Sequence, residues 1–139
     1  MTLKLGDSAS VNKTITASDV ETFADLALDH NPVHLDATYA KSTRFQRPIV
    51  HGMLSASLFS GLLGQQLPGP GTIYLGQSLR FMHPVYVGER VTATIHLSDL
   101  NIDKGIATFI TLVINTEGIE CIQGEAVVKL PEPVAQSLR

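Results

Sequence analysis

Arg47-Pro48-Ile49-Val50-His51-Gly52-Met53-Leu54-Ser55-Ala56-Ser57-Leu58-Phe59-Ser60-Gly61-Leu62-Leu63-Gly64 is the stretch on which the rest of the chain depends. From Gly52 to Leu63 it spells a helix of about three turns, roughly 18 Å long. Nothing in that helix is charged. A surface helix carries a polar stripe, whereas one that is apolar or small on every side is normally buried. It is too short for a bilayer, which needs about 20 apolar residues. The stretch therefore predicts a core helix, and the only material left to wrap it is a run of β-strands. Its first turn has free N–H groups and the positive end of the helix dipole. Gly52 would let a ligand approach that backbone, and such a start can stabilise a developing negative oxygen. Close packing at Gly52 and a capping role for His51 fit the same residues, so both readings stay open.

Towards the N-terminus, residues 9–15 alternate and predict a short strand. Ser18-Asp19-Val20-Glu21 has the form of a capping box. Val20, Phe23, Ala24 and Ala27 then place one apolar face on the helix that follows. That helix should stop before Pro32, with Asp29, His30 and Asn31 at its exit. Pro32 to Asp36 reads as extended or turn, and Asp36 to Ala40 as a cap and a short second helix. Arg44 to Pro48 connects to the central helix. On its far side, Gln65 to Gly71 is a loop by its Pro and Gly punctuation. From Thr72 the chain predicts strands at about 72–82, 89–100, 105–116 and 119–130. Ile106, Ile110, Leu112 and Ile114 fall on one parity, and Ala107, Phe109 and Val113 on the other. A sheet with one wet face alternates more cleanly. One face should cover the helix while part of the other, or an edge, meets a second copy; a homodimer is the default.

The 139 residues are the size of one domain, 1–139. Hydrophobic content of 44% and charged content of 17% describe a globular protein. A net charge of −3 leaves no basic footprint for nucleic acid or an anionic membrane. The first residues lack the apolar run of a signal peptide. The one cysteine, Cys121, excludes an internal disulfide and fits a reducing cytoplasm; in a predicted strand it reads as core.

Asp29 and His34 stand five apart across a helix exit. A carboxylate and an imidazole on one rigid turn can share a single water, one drawing a proton from it and the other supplying one. A nearby carboxylate should raise the proton affinity of His34. The same spacing fits an Asx-type turn with a surface histidine, and spacing alone does not separate the two. Asn31 fixes the turn. Ser60, two turns into the helix, can bond a substrate or bond back to its own helix. No H-E-x-x-H, Cys–Cys metal spacing, Gly-x-Ser-x-Gly elbow or phosphate-loop pattern occurs, so no metal is expected.

Asp29-x-Asn31-Pro32-x-His34, followed by Ile49-Val50-His51-Gly52-Met53, resembles the hydratase 2 motif of the MaoC-like dehydratases. The likeness continues through residues 58–69 and 73–77 and ends at Gly124–Pro131, nearly the whole chain. Within the family it is similar to the (R)-specific enoyl-CoA hydratases. The resemblance implies an α+β hot-dog fold, a curved antiparallel sheet around a long helix, working as a homodimer. It implies reversible hydration of a trans-2-enoyl-CoA to the (R)-3-hydroxyacyl-CoA, with short chains preferred. That reaction links fatty acid β-oxidation to polyhydroxyalkanoate monomer supply. By carry-over, Asp29 and His34 are the acid–base pair, Gly52 offers its N–H to the thioester oxygen, and Ser60 is a pocket position. Asn31 and His51 belong to the same substrate-binding surroundings; Leu63 and Val128, with Leu62, bound the acyl tail. No cofactor is implied, since CoA is part of the substrate. A hot-dog acyl-CoA thioesterase and a non-catalytic acyl-CoA binder are the rival expectations.

Overall fold

The computed structural model describes residues 2–139. In chain order its elements are β1 (Ser8–Thr14), α1 (Ala17–Ala27), α2 (Pro32–Leu35), α3 (Ala37–Lys41), α4 (Gly52–Gln65), β2 (Ile73–Gln77), β3 (Arg80–Phe81), β4 (Arg90–Asn101), β5 (Ile106–Asn115), β6 (Glu120–Lys129) and α5 (Glu132–Ser137). Six strands form one antiparallel sheet in the order β1-β4-β5-β6-β2, with β3 also on β6. Irregular pairing between Tyr74 and Gly76 in β2, and between Leu97 and Asp99 in β4, bends the sheet.

The period of two along β4 buries Val91, Ala93, Ile95 and Leu97 on one face. In β5 the buried parity is Ala107, Phe109, Thr111 and Val113, while Ile110 on the other face is exposed. Phe59, Leu62 and Leu63 of α4 join the same core cluster. The expected helix-in-sheet arrangement is therefore present, and it is the hot-dog fold.

Three local expectations need correction. The capping box of α1 is Thr16 with Asp19, not Ser18 with Glu21. Thr16 Oγ1 accepts the Asp19 N–H at 3.1 Å, and Asp19 Oδ2 accepts the Thr16 N–H at 3.0 Å. The helix begins two residues earlier than the Ser18 reading requires, and Ala27 ends up exposed. Pro32–Leu35, expected as extended or turn, is a one-turn helix, because Asn31 caps it and Pro32 at its first position has the φ a helix needs. And α4 is not enclosed on every side. Ser55, Ala56, Phe59, Leu62 and Leu63 are buried, but Met53 is 57% exposed and Ser57, Ser60 and Gly61 lie open. No helix among the described residues is long and apolar enough to cross a membrane.

Candidate active site

The turn after α1 is built from its own side chains. Leu28 takes a left-handed conformation, φ 59°, and the Asp29 N–H returns to the Ala24 carbonyl at 3.0 Å. Asp29 Oδ1 accepts the Asn31 N–H, and Asn31 Oδ1 accepts the Val33 N–H, both at 3.2 Å. The two readings of this motif describe one object: an Asx-type turn that also presents Asp29 beside His34. Asn31, exposed, is the hinge pin of that turn.

His34 is not a surface histidine. Its Nδ1–H donates to the Ile49 carbonyl at 2.7 Å, which leaves the Nε2 lone pair free in the neutral ring. The Ile49 N–H returns to Val33 at 3.2 Å, so the chain entering α4 is stitched to the chain carrying His34. His51, 2% exposed, reaches back from the start of α4 and donates Nε2–H to the Asp29 carbonyl at 3.1 Å. Its ring stacks on His34 at 3.9 Å and meets Phe23 at 4.9 Å. Side-chain ligand atoms of Asp29, His34 and His51 all lie within 4.8 Å of one another. That spacing suits one water between Asp29 and His34. His51 is poorly placed as a metal ligand: Nε2 is engaged with a carbonyl and Nδ1 is sealed from solvent.

Burial lowers the proton affinity of His34 below the ordinary histidine value, and His51 lowers it further. The Ile49 carbonyl and the Asp29 carboxylate push the other way and are outweighed. The carboxylate does raise it, as expected, but burial, which the sequence did not reveal, outweighs that effect.

A cavity of about 400 Å³ opens at His34, lined also by Gly52, Ser55, Phe81, Met82 and Val85; Asp29 is not part of its lining. Gly52 is the first residue of α4, so its N–H has no intrahelical acceptor. A Cβ at Gly52 would lie 2.4 Å from Cε1 of Phe81, so close packing at this glycine is real as well. Ser60 stands in a second cavity of about 550 Å³ with Phe23, Tyr74 and Gln77; Met53 lines both. The structure does not bring Leu63 and Val128 to either cavity: they are 1% and 0% exposed, inside the core with Leu62. Cys121 is equally buried, its thiol pushed up to about 11, and is no nucleophile. Ser55 and Phe81 were not foreseen. Ser55 had a signal, since it lies one turn past His51 on an uncharged helix; Phe81 had none, because strand pairing alone brings it to Gly52.

Residues 6–118 match the family model described as MaoC like domain. The chain is 56% identical to the (R)-specific enoyl-CoA hydratase of Aeromonas caviae over 93% of its own length and 96% of that protein. Among solved structures, the A. caviae (R)-hydratase involved in PHA biosynthesis superposes with a TM-score of 0.92, covering 93% of this chain and 98% of that one at 56% identity. The unliganded R-hydratase PhaJ1 of Pseudomonas aeruginosa superposes with a TM-score of 0.88 at 41% identity, covering 93% and 83%.

Proposed function

This chain belongs to the MaoC-like family, and from that premise we propose that it adds water reversibly to trans-2-enoyl-CoA, giving the (R)-3-hydroxyacyl-CoA. The observation that carries the reading is the convergence of Asp29 and His34 on each other, with His34 sharing its cavity with Gly52, the first residue of α4. In a trans-2-enoyl thioester the carbonyl makes C3 electrophilic, and attack there moves charge onto the carbonyl oxygen. A preorganised N–H at a helix start stabilises that oxygen; loss of one such donor costs roughly 2.7–4 kcal/mol. Water held by the pair loses a proton to it, its hydroxyl bonds to C3, and the pair returns a proton to C2. Both additions come from the same side, so they are syn and give one hand at C3. The two groups act as a coupled unit, and no cofactor enters the scheme.

A homodimer is part of the reading. β2 is an edge strand whose Ile73, Tyr74 and Leu75 are exposed, next to the open flank of α4 with Met53. An apolar edge of this kind is normally covered. Short acyl chains are the proposed substrates on the family likeness alone, since Leu63 and Val128 lie in the core and line neither cavity. A role in supplying hydroxyacyl monomers from fatty acid β-oxidation, in a reducing cytoplasm, follows from the same likeness. Crotonyl-CoA tests the activity: fading enoyl absorbance means hydration, free thiol means a thioesterase, and binding without turnover means a binder.

A further inference from the structure

Two buried polar atoms near the cavity have no hydrogen-bond partner, His51 Nδ1 and Ser55 Oγ. They differ in chemistry. His51 donates through Nε2, so its Nδ1 is the unprotonated nitrogen and can only accept. The Ser55 hydroxyl can donate. Ser55 is 1% exposed, yet it lines the cavity that holds His34 and Gly52. It stands three residues after Gly52 in α4. Residues so spaced lie one above the other on a helix face, and the Cα–Cβ bond leans towards the N-terminus. Ser55 thus shares with Gly52 both a helix face and a cavity wall. Ser57, in the same helix, shows the usual alternative. Ser57 Oγ donates to the Leu54 carbonyl at 2.5 Å, whereas Ser55 makes no such bond.

We infer that Ser55 is a second donor to the thioester oxygen, completing with the Gly52 N–H a two-point site for the oxygen that gains charge. The inference rests on the hydratase reading for its chemistry, but its geometry rests on the orphaned hydroxyl. A buried donor without a protein partner costs the fold stability and calls for a partner from outside the chain.

The test compares Ser55→Ala with Ser55→Cys, which fills the space but donates weakly. With crotonyl-CoA, both variants should lose about 10²-fold in kcat, with KM little changed and no fall in Tm. Wild-type turnover in either variant overturns the assignment, as does a loss of rate that tracks a loss of Tm. A second measurement does not need turnover. Isotope-edited infrared spectra of bound butyryl-CoA, labelled at the thioester carbonyl, report how strongly that carbonyl is polarised. The carbonyl band should move to higher frequency in Ser55→Ala than in wild type. An identical band, or one at lower frequency in Ser55→Ala, overturns the inference even if the wild type proves to be no hydratase; a band moved to higher frequency upholds the contact whatever the reaction.

Discussion

The imidazole of His34 lies 3.9 Å from that of His51, centroid to centroid, with the ring planes inclined by 32°. Two stacked imidazoles so close do not both take a proton readily, and His34 is also partly buried; its proton affinity is lowered, burial being the larger cause. The unfolded chain then binds a proton at His34 more readily than the folded one. Stability from this residue is complete above the ordinary value of 6.5 and is lost as pH falls through the folded value. The acid limb of kcat/KM, if set by His34, should lie below 6.5. An NMR titration of the ring should show the same midpoint, and a midpoint above 6.5 contradicts the burial argument.

Asp29→Asn and His34→Gln should each lower turnover by at least ~10²-fold, the scale of acid–base catalysis. Asn keeps an acceptor for the Asn31 N–H, so the turn that Asp29 Oδ1 supports should survive. Circular dichroism and Tm near wild type are expected beside the lost rate. Wild-type rates in either variant would remove that residue from the mechanism.

Gly52→Ala drives a methyl into the Phe81 ring, whose Cε1 would be 2.4 Å away. Phe81 is 54% exposed, so the ring can swing aside and the fold should lose no more than about 1 kcal/mol. The displaced ring and the added methyl both crowd the cavity. A fall in kcat/KM of roughly 10- to 10²-fold is expected from misplacing the thioester, read by steady-state kinetics beside a melting curve.

Gly124→Ala should do the reverse, damaging stability before chemistry. A Cβ there would sit 1.9 Å from the backbone oxygen of Ser78, and backbone cannot rotate away as Phe81 can. Chemical denaturation should show a loss of about 1–3 kcal/mol or more. A variant as stable as wild type would mean that the 77–80 crossing over β6 is looser than its contacts indicate.

The sequence carried what is local and periodic. Asp29, Asn31 and His34 were legible because their turn is made by side chains a few residues apart. The uncharged run 52–63 identified the helix, and the strands expected from Thr72 onward identified its sheet. What stayed hidden was set by contacts across the chain: the reach of His51 to the Asp29 carbonyl, the Phe81 ring over Gly52, the dryness around His34 and the open flank of α4. Leu63 and Val128 lie sealed in the core because helical and strand periodicity turn them inward. The Ser18 box misled because Thr16, two residues upstream, offers the same chemistry to the true first turn.

Hydration of crotonyl-CoA in deuterium oxide, followed by chiral and NMR analysis of the product, probes most directly whether one water held by Asp29 and His34 serves a single face. The product should be the (R)-3-hydroxy thioester with one deuterium at C2, on the side that received the hydroxyl. Deuterium on the opposite side, or spread over both, would contradict delivery from one fixed pair.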